Sequence, residues 1–521
     1  MRKIPPKLAI NYQALVFWAV FVVACAVRLI AFGEIPADIN QDEAMTGYDA
    51  FSLLKTGADS WGVTHPIYLI GWGSGTSILY ALLAKLSFYL FGVSVWALRL
   101  PQALMSILSC YVFYRLLRIF CDKKTALVGF FLISIMPWSV MSARWGLDAN
   151  IAPTFCLLGF YFYCRAVKKP IYLGLSTIFY ALTMYAYAGF WVFVGVIVLL
   201  QWGYLWFYRQ NAHGYILSSV VLFVLLNLPL LVLVLVNYGV VAEYRSAWLS
   251  VPKLLLWRGQ EVGLNHFAFK LTMLFNVLIM QDDGWLSNMI PAYGGFYLFT
   301  PLFMFIGLWN LIKKAKADIL HKQFSFALCI IGQIVIGLMY AVCVYAFSNR
   351  VSFLFMPLLI AATWGIMSLK PFKWVWRLVL MVYVWCFMLF AHTYFTKYNE
   401  MLAESHEFSF SYGLQDALQR AEQLHQQTGA DIYLLEERYA YAKVLFLNQV
   451  NPYLYQQTVS WLEYPNAFMQ AKDFLYYHFM WNVDFDTLQS GQIYIVPKNR
   501  FQFFVNDSYA LYGNYVVSYK K

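Results

Sequence analysis

Apolar runs of about 20 residues, enough to cross roughly 30 Å of hydrocarbon, recur from Leu8 to Phe395 with short polar segments between them. They predict spans over about 8–32, 95–119, 125–142, 150–166, 171–188, 190–207, 215–236, 294–312, 324–346, 351–369 and 374–395. One more apolar run, 76–91, stops at Gly92. If it were a full span, the next helix would carry Arg115, Arg118, Lys123 and Lys124 to the opposite side from the other basic clusters. Read as a juxtamembrane helix lying in the outer leaflet, it brings every strong cluster to one side. Those clusters are Arg165, Lys168 and Lys169, then Arg209, then Lys313, Lys314 and Lys316, then Lys370 and Lys373. Arg2, Lys3 and Lys7 precede the first span and place the N-terminus in the cytoplasm by the positive-inside rule. The expected architecture is an α-helical polytopic membrane domain, residues 1–395, with about eleven spans and external juxtamembrane helices. Its first external loop covers 33–92 and its long external loop 237–292.

From about Thr396 the pattern changes to the charge density of a soluble protein. Leu414 to Leu424 has helical spacing, while 431–435, 492–496 and 515–519 alternate like strands. Residues 396–521 are therefore expected to form a small extracytoplasmic α/β domain.

Composition sharpens this picture. The chain is 61% hydrophobic and 20% aromatic, with 12% charged residues, which excludes an ordinary soluble fold. A net charge of +11 in a soluble chain would suggest nucleic acid. Here the cations sit between apolar runs and set topology, so no nucleic-acid partner is expected. The eight cysteines lie in or beside apolar helices, which argues against a disulfide framework or a thiolate metal site. The first apolar run has no small-residue cleavage site before the polar loop and reads as a retained span.

Against this background the stretch Asp38-Ile-Asn-Gln-Asp-Glu-Ala-Met45 stands out, as four of its eight residues are Asp, Glu or Asn. Asn40 and Glu43 have capping-box spacing, with Asp42 favoured in the first turn by the helix dipole. A carboxylate beside the membrane surface can also take a proton from an acceptor hydroxyl or amine, and a cap would hold Asp42 in a fixed direction for that. Asp49 falls one heptad later on a similar helical face. Asp148 sits in the turn Ala143-Arg-Trp-Gly-Leu-Asp-Ala-Asn150, where topology puts it on the same membrane face as Asp42. A helix cap is the plainer explanation of Asp148, with Pro153 tolerated in the first turn. Convergent carboxylates with cations at one surface suit a reaction with a phosphate leaving group.

Arg99, Arg144 and Arg350 lie at outer span ends and are candidate phosphate contacts, although snorkelling arginines also occur there. Asp49, His65 and Asp282 are candidate substrate contacts, and turn roles would explain the last two equally well. Gly71-Trp-Gly-Ser-Gly75 lacks the strand–helix context of a dinucleotide loop but could bring backbone amides to a phosphate. Asp484-Phe-Asp486 matches a loose D-x-D pattern by chance. No cluster has metal-ligand spacing; no cofactor is expected to be required, and a divalent metal is left open.

These residues resemble the GT-C superfamily of polyprenyl-phosphate-sugar glycosyltransferases, including lipid A aminoarabinose transferases and protein O-mannosyltransferases. The matching pieces are Asp42-Glu43 after the first span, the following helix ending at Leu53-Leu-Lys-Thr-Gly57, and Phe91-Gly92 to Arg99-Leu-Pro101. Further on come Pro137-Trp138 to Arg144-Trp145 with Asp148 and Asn150, and Asn349-Arg350 to Pro357. The resemblance implies a catalytic base at Asp42, with Glu43 and Asp148 positioning the reacting groups. It implies inverting transfer of one sugar from a polyprenyl-phosphate donor to an envelope glycan, lipid or protein acceptor. The site would face outward from the cytoplasmic membrane. Relatives often carry a lysine entering the juxtamembrane helix, whereas Ile70 to Gly75 has none. A flippase of lipid-linked sugars is the alternative, but it expects midplane polar sites and related halves, and neither is evident.

Overall fold

The computed structural model describes residues 12–405, 410–437, 439–485, 488–503 and 508–520, so Arg2, Lys3, Lys7 and Asp486 lie outside the described residues. Each segment expected to span is helical: Tyr12–Leu29, Val95–Phe120, Lys123–Ile135 with Pro137–Met141, Asp148–Ala166, Tyr172–Ala186, Trp191–Tyr208, His213–Asn237, Thr300–Leu320, Phe326–Ala341, Phe355–Ser368 and Lys373–Thr396. Among the described residues, five helices are long and apolar enough to cross a membrane, or six with the pair that bends by 62° at Met136–Pro137. Tyr172–Ala186, with 15 residues, rises only about 22 Å at 1.5 Å per residue. The protein is thus a multi-pass helical membrane protein in which several segments fall short of a full crossing. The 76–91 run is a short helix, Ile78–Phe91 of 14 residues.

Two kinds of contact hold the bundle. Thr300–Leu320 and Phe355–Ser368 approach so closely that a Cβ on Gly307 would sit 1.7 Å from the Ala361 carbonyl oxygen. Small residues permit this van der Waals packing where lipid removes the hydrophobic drive between helices. The second contact is polar. Arg28, buried near the end of the first helix, donates to Ser106 Oγ at 2.9 Å, Ser139 Oγ at 2.6 Å and the Ser134 carbonyl at 3.2 Å. A buried charge requires such partners, and here they tie the first helix to three others.

After the last span, Leu414–Thr428, Ala440–Leu447 and a seven-stranded sheet form the C-terminal domain. Across the sheet the strands run Ser508–Tyr512, Tyr515–Lys520, Gln492–Pro497, Ile432–Leu435, Tyr477–Met480, Ala471–Phe474 and Ser460–Trp461. Ile432–Leu435 is parallel to both neighbours, and the remaining pairs are antiparallel. The expected strands and helix are present; the other strands are two to five residues long and carry no clear alternation. Ala440–Leu447 packs on Gln41–Thr56, and Tyr48 Oη donates to the Val450 carbonyl at 3.1 Å. This seats the C-terminal domain directly over the acidic stretch. All eight cysteines are free thiols.

Candidate active site

The helix Gln41–Thr56 begins with a complete capping box. Asn40 Oδ1 accepts from the Asp42 amide at 2.8 Å, and Glu43 Oε2 accepts from the Asn40 amide at 3.2 Å. Satisfying these orphan amides fixes the first turn and with it the direction of Asp42. The Asp42 carboxylate then accepts from the Trp72 indole N–H at 2.9 Å. Trp72 comes from the glycine-rich hairpin closed by Tyr68–Leu69 and Thr76–Ser77.

Asp42 opens into a cavity of about 390 Å³ that it shares with Asp148, Arg258 and Arg350. Asp148 is the first residue of its helix, 9% exposed, with Oδ1 accepting from the Ala149 amide at 2.7 Å. Ser74 to Ser77 of the hairpin form one wall, and Tyr187, Trp191, Trp257, Tyr340 and Tyr345 line much of the rest. Arg258 pairs with Glu261, with Nη2 2.6 Å from Oε2. Arg350 lies over the Phe347 ring at 5.7 Å and has no ion-pair partner among the described residues. Burial raises the Asp42 carboxyl above the ordinary range; the Trp72 hydrogen bond and the Arg350 and Arg258 charges pull it back. The cavity thus joins three carboxylates, Asp42, Asp148 and the Glu261 paired with Arg258, to two guanidinium groups within aromatic walls.

Several sequence candidates sit elsewhere. Glu43 is no member of the cavity: its oxygens accept from Arg99 Nε and Nη2, each at 2.9 Å, and from the Gly146 amide at 2.5 Å. Arg99 also donates to the Pro36 and Asp38 carbonyls at 2.7 Å each. Its donors are thus engaged inside the protein, which corrects the expectation of a phosphate contact. Arg144 is corrected in the same way. It donates to the carbonyls of Ile35 at 3.0 Å, Ala31 at 2.7 Å and Val27 at 3.3 Å, beyond and within the end of the first helix. A cation there complements the helix dipole.

The substrate candidates Asp49, His65 and Asp282 also lie outside the cavity lining. Asp49 is buried, and its Oδ1 accepts from the Ser60 amide at 2.9 Å. The His65 carbonyl accepts from the Ser250 amide at 2.9 Å, and its side chain is exposed away from the cavity. Asp282 Oδ1 accepts from the Gly284 amide at 2.9 Å in a turn. Its neighbour Asp283 accepts from the Ser348 amide at 2.9 Å and from Asn288 Nδ2 at 2.8 Å, anchoring the turn that carries Arg350.

Arg258 and Trp72 escaped sequence reasoning. Arg258 is one of four cations in the long loop, with Arg245, Lys253 and Lys270, more than two hundred residues from Asp42, and no spacing marks it. The glycines around Trp72 gave a partial signal, because they allow a tight hairpin beside the cavity. Among the described residues, no three His, Cys, Asp or Glu side chains gather as metal ligands.

Residues 75–238 match the family model described as dolichyl-phosphate-mannose-protein mannosyltransferase. No curated protein matches the sequence. In structure the chain is similar to ArnT from Cupriavidus metallidurans bound to undecaprenyl phosphate, with a TM-score of 0.59 and 13% identity over 98% of each chain. The apo form of that protein gives 0.58 and 13%, covering 97% of this chain and 98% of that one. The Archaeoglobus fulgidus oligosaccharyltransferase in complex with Zn and sulfate gives 0.50 and 11%, covering 83% of this chain and 61% of that one. At such identities the likeness is one of fold. From end to end, the chain shares the fold of that ArnT structure, and the match to the mannosyltransferase family model lies within its first half.

Proposed function

We propose that the protein transfers one sugar from a polyprenyl-phosphate donor to a cell-envelope glycan, lipid or protein on the outer face of the cytoplasmic membrane. The observation that carries this reading is the shared cavity, in which Asp42 and Asp148 meet Arg258 and Arg350. The fold shared with a protein bound to undecaprenyl phosphate supports a lipid-phosphate carrier.

The acceptor hydroxyl or amine attacks the anomeric carbon from the face opposite the phosphate, and Asp42 takes its proton. The bond from that carbon to the phosphate oxygen breaks, and its electron pair leaves with the polyprenyl phosphate. Arg258 and Arg350 stabilise the departing charge, while Asp148 orients the acceptor or sugar. A single displacement inverts the anomeric centre. The donor brings its own phosphate, so the step requires no nucleotide.

The test uses purified protein with undecaprenyl-phosphate monosaccharides and envelope acceptors. Asp42→Asn is expected to lower transfer by about 10²–10⁴-fold while still binding undecaprenyl phosphate. Undiminished transfer by that variant would remove Asp42 as the base. Lipid translocation by the wild type without glycosyl product would remove the enzyme class.

A further inference from the structure

The C-terminal domain does more than cover the cavity, because one of its segments enters it. The Met469 amide donates to the Trp72 carbonyl at 2.8 Å, and Phe468 forms an antiparallel bridge with Gly73. Gly73 has a φ of +109°, and a Cβ there would come 2.7 Å from the Asn466 carbonyl oxygen. From the other side, the Leu255 and Leu256 amides donate to the Gly73 carbonyl at 2.9 and 3.2 Å. The hairpin bearing Trp72 is therefore clamped between the C-terminal domain and the segment leading to Arg258. Tyr439 and Tyr441 add edge contacts to the Trp72 ring at 5.0 and 5.6 Å.

The Phe468 ring itself lines the cavity and faces the Arg258 guanidinium at 4.7 Å. We propose that Phe468 is a positioning residue, through which the C-terminal domain holds Arg258 in place for the donor phosphate. The inference rests on the donor reading given above. Glu261 holds Arg258 in an ion pair, Nη2 to Oε2 at 2.6 Å, that offsets part of its charge. A ring face attracts a guanidinium through its quadrupole without neutralising it, so the cation stays oriented and still available to an anion.

The test measures binding of undecaprenyl phosphate to the full chain in nanodiscs, with thermal unfolding followed in parallel. Phe468→Leu keeps apolar volume and removes the ring. It is expected to weaken binding about 2–5-fold, the effect of losing a solvent-exposed cation–π contact, with little change in unfolding temperature. Phe468→Tyr and Phe468→Trp retain a ring and should stay within about twofold of wild type. Adding Phe468→Leu to Arg258→Ala should weaken binding no further than Arg258→Ala alone. Wild-type affinity in Phe468→Leu, or full additivity with Arg258→Ala, overturns the inference. Should Phe468→Leu unfold early, Phe468→Met makes the same comparison and is judged by the same outcomes. A wild type that binds undecaprenyl phosphate no better than phosphatidylglycerol overturns the donor reading, and this inference with it.

Discussion

The Arg99 guanidinium meets the Glu43 carboxylate through two 2.9 Å hydrogen bonds, one residue after Asp42, and solvent reaches neither side chain. Glu43 also accepts from the Gly146 amide, two residues before Asp148. One buried pair therefore fixes the distance between the turns that present Asp42 and Asp148. Breaking such a pair leaves an uncompensated buried charge, at about 3–5 kcal/mol. Glu43→Gln and Arg99→Ala should both lower the unfolding temperature of the purified protein markedly. If Arg99 instead held the donor, Arg99→Ala would weaken undecaprenyl phosphate binding and leave unfolding unchanged.

If Asp42 is the base proposed above, its state sets an acid limit on activity. A base works deprotonated, and burial raises this carboxyl above its ordinary value, which is about 4. Turnover at subsaturating donor should therefore decline as pH falls through a midpoint above that value. Arg350 favours the charged form, so Arg350→Ala should move the midpoint to higher pH. An unmoved midpoint would show that the limb belongs to another group.

Arg350 also gives a binding prediction. Loss of charged hydrogen bonds to an anion costs about 1.5–3 kcal/mol, so Arg350→Ala should raise the donor KM roughly 10–100-fold. Asp283 fixes the Ser348 amide two residues before it, so Asp283→Ala should raise KM in the same direction by less. Equal KM values in wild type and Arg350→Ala would exclude the contact.

Beneath the site, Asp49 and Asp59 are both buried and raised, to about 6 and about 7. Desolvation is the main cause in each, and for Asp59 the Asp49 charge adds to it. Below the unfolded value of about 4 both groups are protonated in either state. As pH rises from there through 6 and 7, the folded protein must give up protons it holds more tightly than the unfolded chain does. Stability should therefore fall across this window. Asp49→Asn should flatten the fall, by roughly 2 kcal/mol at the alkaline end. Unfolding temperatures measured from pH 5 to pH 8 check the slope, and an identical slope in the variant would discard the pair as its source.

The sequence by itself determined the helical segments, the short helix Ile78–Phe91 among them, and the α/β character of the C-terminal domain. Each of these depends on local periodicity, which a membrane or a sheet face imposes directly on neighbouring residues. Asp42 and Asp148 were also legible, because topology forces both to one end of the bundle and each stands at a helix start. Tertiary structure decided which cations face them. Arg99, Arg144, Arg258 and Arg350 are alike as letters. Arg99 found Glu43, Arg144 found the carbonyls near the first helix end, and Arg258 and Arg350 reached the cavity. Those outcomes depend on partners tens to hundreds of residues away. A guanidinium goes wherever buried oxygens or open space are left once the helices have packed, and no local pattern encodes that.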